Sequence, residues 1–268
     1  MFARDCIKES TMKSPGYKRV AAIAVISIVA AAVSISGCTR DPSSKKISAG
    51  VAANFIKPFG ELAAEFEGKT GIKVETTFTS SGTLYNQIKN GAPYDIFLSA
   101  DEERPTLLLK EGKVLTPFVY AKGEVILWSG KKELCTAANW REALTLPGVN
   151  KISIANPATA PYGLAAKSAL VGAELWDSLQ PKLVNGQDIA QAFQYASTGA
   201  TDMGFCAFSA AFSDEGKKGG YYAVAEAPAI VQSACVVKST EKRDAADKFA
   251  TFLVSPEAEK IKKKYGYK

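Results

Sequence analysis

The chain has 268 residues, 47% hydrophobic and 22% charged, an ordinary globular composition that excludes disordered, collagenous and coiled-coil classes. Its net charge is +6, but the first 38 residues alone hold five Lys/Arg against two Asp/Glu, so the remainder is too mildly and diffusely basic to imply nucleic acid. Histidine is absent, which removes Ser-His-Asp and Cys-His catalysis, histidine metal sites and the commonest general base.

The first segment reads as an address. Lys13, Lys18 and Arg19 precede an uncharged run over residues 20–35 rich in Ala, Ile and Val. A basic region, a short apolar core and then small residues is the secretory signal pattern. About sixteen uncharged residues fall short of the ~20 that a spanning helix needs. Met12 can replace Met1 as the start without loss of that pattern. The run ends in Ile35-Ser36-Gly37-Cys38, which resembles the bacterial lipobox. That resemblance implies cleavage before Cys38 and lipidation of its sulfur and new amino terminus. Several acyl chains anchor firmly where one binds only marginally. Residues 1–37 are thus expected to be a lipoprotein signal peptide and 38–46 a lipid-anchored linker, polar throughout its TRDPSSKK stretch.

From residue 46 strand and helix patterns alternate. The spacing predicts a strand at 46–51 and a helix at 54–67, whose Phe55, Phe59, Leu62, Ala63 and Phe66 recur at helical intervals. A strand at 72–79, a short helix at 84–90, a strand at 94–99 and a helix at 102–110 follow, with Gly91 and Gly112 as stops. The rhythm restarts with a strand at 123–129, a helix at 140–144, a strand at 151–155 and a helix at 163–172. Later come a helix at 188–198 with Asp188 at its cap and Gln191 three residues on, and strands at 203–208, 221–226 and 231–238. Two helices close the chain, one at 244–253 and one begun by Ser255-Pro256. The basic run 260–264 reads as its solvated end. Such alternation predicts an α/β protein with mostly parallel strands. Two units result: 47–121 plus 231–268 as one lobe, and 122–230 as the other. Cys206 and Cys235 both fall in strands, as buried small hydrophobes or, in an oxidising compartment, a disulfide.

Four junctions link strands to helices through small residues: Ala52-Ala53-Asn54, Ser80-Ser81-Gly82-Thr83, Pro161-Tyr162-Gly163 and Gly186-Gln187-Asp188. Each helix start leaves backbone N–H groups unpaired and carries part of a positive charge. Converging starts would form an anion site with no Lys or Arg. Taken singly, each junction is also an ordinary helix cap. Asp95 and Asp101 read as a turn residue and a cap rather than as proton acceptors, and Tyr85, Tyr94, Trp128 and Trp176 as packing residues. No nucleophile with a neighbouring base and no carboxylate pair stands out, so no catalytic residue is assigned.

The segments 49–55 (AGVAANF), 80–87 (SSGTLYNQ), 91–101 (GAPYDIFLSAD), 156–167 (NPATAPYGLAAK) and 260–267, ending KKYGY, resemble the periplasmic molybdate-binding proteins of ABC transporters. The resemblance implies a two-lobe periplasmic binding protein type II fold with the ligand cleft between the lobes. It further implies an extracytoplasmic, non-enzymatic protein that binds molybdate or tungstate, with no cofactor and no protein side chain ligating the metal directly. Its partners would be a permease and its ATPase, and the protein itself a monomer held to the membrane at Cys38. By position, the ligand-binding residues fall on Ala53, Asn54, Ser81, Tyr162 and Ile189. Many relatives place a Tyr where Ala207 stands, and Asn54 is the residue offered in compensation. The alternative is a protein of the same fold for sulfate or phosphate. Molybdate, tungstate and sulfate carry no proton at neutral pH and suit a donor-only site, whereas phosphate brings a proton that such a site leaves unpaired at about 1–3 kcal/mol.

Overall fold

The computed structural model describes residues 46–268, so the expected signal segment and the lipidation residue Cys38 lie outside the described residues. The chain begins with β1 (Lys46–Ala52), a 3-10 turn (Ala53–Phe55) and α1 (Ile56–Thr70). Phe59, Leu62 and Phe66 lie three and four residues apart on α1, and all are buried. Gly71 ends this helix at φ 70°, a left-handed conformation that glycine adopts without strain. Next come β2 (Lys73–Thr79), α2 (Ser81–Lys89), β3 (Ile96–Leu98), α3 (Glu103–Lys110) and β4 (Phe118–Gly123). The middle of the chain supplies β5 (Val125–Ser129), α4 (Trp140–Thr145), β6 (Ile152–Ala155), α5 (Pro161–Gly172), α6 (Trp176–Leu179), β7 (Leu183–Gly186), α7 (Ile189–Ser197), β8 (Met203–Ala207) and β9 (Gly220–Ala223). Last are β10 (Ile230–Val236), α8 (Arg243–Leu253) and α9 (Pro256–Lys264).

The strands form two five-stranded sheets, ordered β2-β1-β3-β10-β4 and β7-β6-β8-β5-β9. β1 runs parallel to β2 and β3, and β6 parallel to β7 and β8. β10 is antiparallel to β3 and β4, and β5 antiparallel to β8 and β9. Both sheets are therefore mixed, which corrects the expectation of mostly parallel strands. The reason is topological: β5 and β10 each enter a sheet from the other one, so they need not follow the βαβ crossover that makes neighbours parallel.

The strand expected at 123–129 is two strands. Glu124 alone separates β4, in the first sheet, from β5, in the second. Hydropathy is continuous across this point, so periodicity cannot reveal the change of sheet. The return crossing runs through residues 224–229. α2 and α5 begin at Ser81 and Pro161, earlier than apolar spacing suggests, because their first turns are polar or small.

Each sheet has its own core. Phe55, Phe59, Phe66 and Phe249 pack in the first, with ring centroids 4.9 Å apart between Phe66 and Phe249. Leu127, Ile152, Ile154, Ala166 and Phe205 fill the second. Cys206 lies in β8 and Cys235 in β10, in different sheets, and both are buried free thiols; they do not form a disulfide. The basic run is not wholly solvated. Lys262 is 2% exposed, donating to the carbonyls of Leu253 (3.0 Å) and Tyr120 and to Glu259. The Leu253 carbonyl ends α8, where a cation is favoured. Lys122 and Lys268 exchange backbone hydrogen bonds of 2.7 and 3.0 Å, tying the chain end to β4 beside the crossover.

Candidate functional site

Three helix starts and the 3-10 turn after β1 meet where the two sheets face one another. The first sheet contributes the turn after β1 (Ala52, Ala53, Asn54), the start of α2 (Ser80, Ser81) and Ala100. The second contributes the start of α5 (Ala160, Pro161, Tyr162) and of α7 (Asp188, Ile189). Together they enclose a cavity of about 10 Å³, room for one water-sized centre. The residues expected at the site, Ala53, Asn54, Ser81, Tyr162 and Ile189, are all brought to this one space. A second cavity of about 80 Å³ shares Ala53, Asn54 and Ile189 as walls and adds Lys57, Phe193, Ala207 and Ser209. Ala207 thus faces the larger space, and its side chain offers no donor.

Local sequence explains each start. Ser80 caps α2, accepting the Thr83 N–H at 3.3 Å. Asp188 caps α7, accepting the Gln191 N–H at 3.0 Å, while Gln191 Oε1 accepts from Gln187 N at 2.7 Å. Pro161 opens α5 with its φ already helical. Gly163 is obligatory there, because a Cβ would collide with the Ala155 carbonyl. These caps leave the N–H groups at Ser81, Tyr162 and Ile189, in the first helical turn, without an intrahelical acceptor. Ser81 Oγ accepts the Ala100 N–H at 2.9 Å, which leaves its proton free to donate.

The lobes touch directly at this rim. Gly82 N donates to Thr159 O at 2.8 Å, and a Cβ at Gly82 would sit 2.9 Å from Thr159 Cα. The two other carboxylates considered from sequence are engaged elsewhere. Asp95 accepts from Ser48 N at 2.7 Å and from Thr240 Oγ1 at 2.5 Å. Asp101 accepts from Arg104 N at 3.1 Å and Ser99 Oγ at 2.9 Å, capping α3. Trp128 is core, its Nε1 donating to Gly216 O at 3.0 Å, and Tyr85, Tyr94 and Trp176 do not line the cavity.

Sequence reasoning missed the layer beneath Asn54. Asn54 is 5% exposed, and its Nδ2 donates to Gln232 Oε1 (2.8 Å) and Tyr267 Oη (3.0 Å). Its Oδ1 is buried with no hydrogen-bond partner among the described residues. Gln232 Nε2 donates to Tyr162 Oη at 3.3 Å, and Tyr120 Oη donates to Gln232 Oε1 at 3.0 Å. Tyr267 Oη and Ser209 Oγ both donate to the Asn54 carbonyl, at 2.7 and 2.9 Å. Burial pushes the Tyr120 and Tyr162 hydroxyls well above the ordinary phenol value and raises that of Tyr267, so all three stay protonated. The signal for this layer was Gln232, a polar residue inside the apolar strand β10.

The family model described as bacterial extracellular solute-binding protein matches residues 47–268. The chain is 36% identical to the molybdate-binding protein ModA of Rhodobacter capsulatus over 235 residues, 87% of this chain and 92% of that protein. It is also 36% identical to ModA of Azotobacter vinelandii, over 90% of this chain and 96% of that protein. The solved structure of the Azotobacter vinelandii periplasmic molybdate-binding protein superposes with a TM-score of 0.78 over 83% of this chain and 98% of that chain, at 36% identity. The sulfate-binding protein SubI of Mycobacterium tuberculosis H37Rv shares the fold alone, at 17% identity and a TM-score of 0.69 over 83% of this chain and 86% of that chain.

Proposed function

The chain belongs to the bacterial extracellular solute-binding proteins, and we propose that its ligand is a proton-free oxyanion held where the helix starts meet. The function is that of the molybdate-binding protein of an ABC transporter, acting outside the cytoplasmic membrane with a permease and its ATPase. It is a binding protein and not an enzyme, and molybdate is its ligand rather than a cofactor.

One observation carries the site: Ala53, Asn54, Ser81, Tyr162 and Ile189, far apart in sequence, line a single cavity between the sheets. Its available groups are the Ser81 hydroxyl and the N–H groups of helix starts, with no Lys or Arg in the lining. Helix N-termini and neutral donors stabilise a dianion without the desolvation that a buried ion pair demands. Tungstate has the same charge and tetrahedral arrangement of acceptors, so the same site takes it. Lobes 47–121 plus 231–268 and 122–230 close over the ligand, and Gly82 and Thr159 lie at the closing edge. Cys38 carries the lipid anchor, and the protein works as a monomer.

Calorimetric titration with molybdate, tungstate, sulfate and phosphate tests this reading. Tight binding of the first two is expected, with phosphate weaker. Binding of another solute, with no heat from molybdate or tungstate, overturns it.

A further inference from the structure

Below the cavity, the carboxamides of Asn54 and Gln232 meet end to end, and Gln232 is 0% exposed. We propose that Gln232 is a positioning residue that, by turning together with Asn54, sets which end of the Asn54 carboxamide meets the ligand and so lets Asn54 donate to a proton-free oxyanion. The inference rests on the oxyanion site proposed above.

With Asn54 Nδ2 turned to Gln232 and Tyr267, the Asn54 Oδ1 is left buried and unpartnered among the described residues. An orphaned buried acceptor is costly, and in Asn54, which lines the cavity, it would also repel an anion bound there. A half-turn of a carboxamide in place exchanges its oxygen and nitrogen. Turning Asn54 alone would set its oxygen against Gln232 Oε1, acceptor against acceptor. The two must therefore turn together.

The paired turn satisfies every group except the Asn54 amide nitrogen. Gln232 Nε2 then donates to Asn54 Oδ1 and to Tyr120 Oη, while Tyr120 keeps the Ser99 carbonyl, now 3.2 Å away. The Tyr162 hydroxyl donates to Gln232 Oε1. Tyr267 donates to Asn54 Oδ1, and Ser209 still holds the Asn54 carbonyl. Asn54 Nδ2 becomes the free group, a donor for a ligand oxygen. A ligand with no proton stabilises this pattern, whereas a protonated one can donate to Oδ1 and stabilises the other. Gly123 keeps the space open: a Cβ there would collide with the Tyr162 hydroxyl and approach Gln232 Nε2 to 2.8 Å.

The test is binding of molybdate and of inorganic phosphate to the wild type, Gln232→Glu and Gln232→Met. In Gln232→Glu, an ionised carboxylate only accepts, so it holds Asn54 Nδ2 and leaves Oδ1 facing the ligand. Molybdate affinity should fall about 10- to 100-fold, the factor carried by a hydrogen bond to a charged group. Phosphate affinity should fall less, so the selectivity ratio drops. Acidification that protonates the new carboxyl should restore the ratio, while Gln232→Met loses affinity with no such pH dependence. Because a variant can fail to fold, the side-chain amide protons of Asn54 are followed by NMR in the wild type, and they should shift on addition of molybdate. Unchanged selectivity in Gln232→Glu at every pH, or Asn54 amide protons unmoved by bound molybdate, overturns the inference. A wild type that binds no oxyanion overturns the site itself instead.

Discussion

Ala100 N donates to Ser81 Oγ at 2.9 Å, and both residues line the same cavity. The bond occupies a lone pair of the hydroxyl and leaves its proton free to donate. Ser81→Ala removes the proposed ligand donor and leaves the Ala100 N–H without its acceptor. Binding should weaken by roughly 1–3 kcal/mol, the range for hydrogen bonds to charged groups. Asn54→Ala should lose a similar amount. Titration calorimetry measures both, and unchanged affinity in the two variants would place the site elsewhere.

Gly82 contacts the opposite lobe through its N–H to Thr159 O, with no room for a Cβ. Gly82→Val should prop the lobes apart. Molybdate affinity drops, and small-angle scattering with ligand shows a larger radius of gyration than the liganded wild type. The nearest atoms a Gly82 Cβ would meet all belong to Thr159 across the rim, so opening relieves the clash and the unliganded melting temperature should change little. Equal compaction of both proteins on ligand addition would count against closure at this edge.

Alkaline stability follows from buried thiols and phenols. Burial raises Cys206 and Cys235 above the ordinary thiol value of 9.0, and Tyr120 and Tyr162 above the ordinary phenol value of 10.0. A group whose folded value is raised keeps its proton in the folded state after the unfolded chain has lost it. Its stabilising share is complete below the unfolded value and is lost as pH climbs above it. Melting temperature should thus fall from about pH 9 upward. Lys262 opposes this, since burial lowers its value and stability regained there grows with pH. Replacing both buried cysteines by Ala should flatten the first part of the fall; an unaltered slope would exclude the thiols as its cause.

On the lipobox reading the anchor is an acylated Cys38, so Cys38→Ser should release the mature protein from membranes into the soluble fraction. Fractionation after detergent-free lysis measures this. Membrane retention of the variant would refute the lipobox reading.

Several features were legible in the order of residues. Phe59, Leu62 and Phe66 announced α1, and Asp188 with Gln191 announced the cap of α7, because helical spacing and capping are local. The small-residue junctions contained Asn54, Ser81 and Tyr162, though each was equally an ordinary cap when taken alone, and Ile189 was implied only by the family resemblance. Lys262 was misread as solvated, since nothing adjacent in sequence shows that the Tyr120 and Leu253 carbonyls wait for it.

By itself, then, the sequence determined the elements, their caps and the residue types available for an anion, all properties set within a few positions along the chain. The tertiary structure alone decided what depends on distant contact. It separated β4 from β5 at Glu124, brought three helix starts and the turn after β1 to one cavity, and laid Gln232 and Tyr267 beneath Asn54 across 178 and 213 residues. Hydrogen-bond partners at such separations follow from sheet order and lobe crossing, which no local pattern encodes.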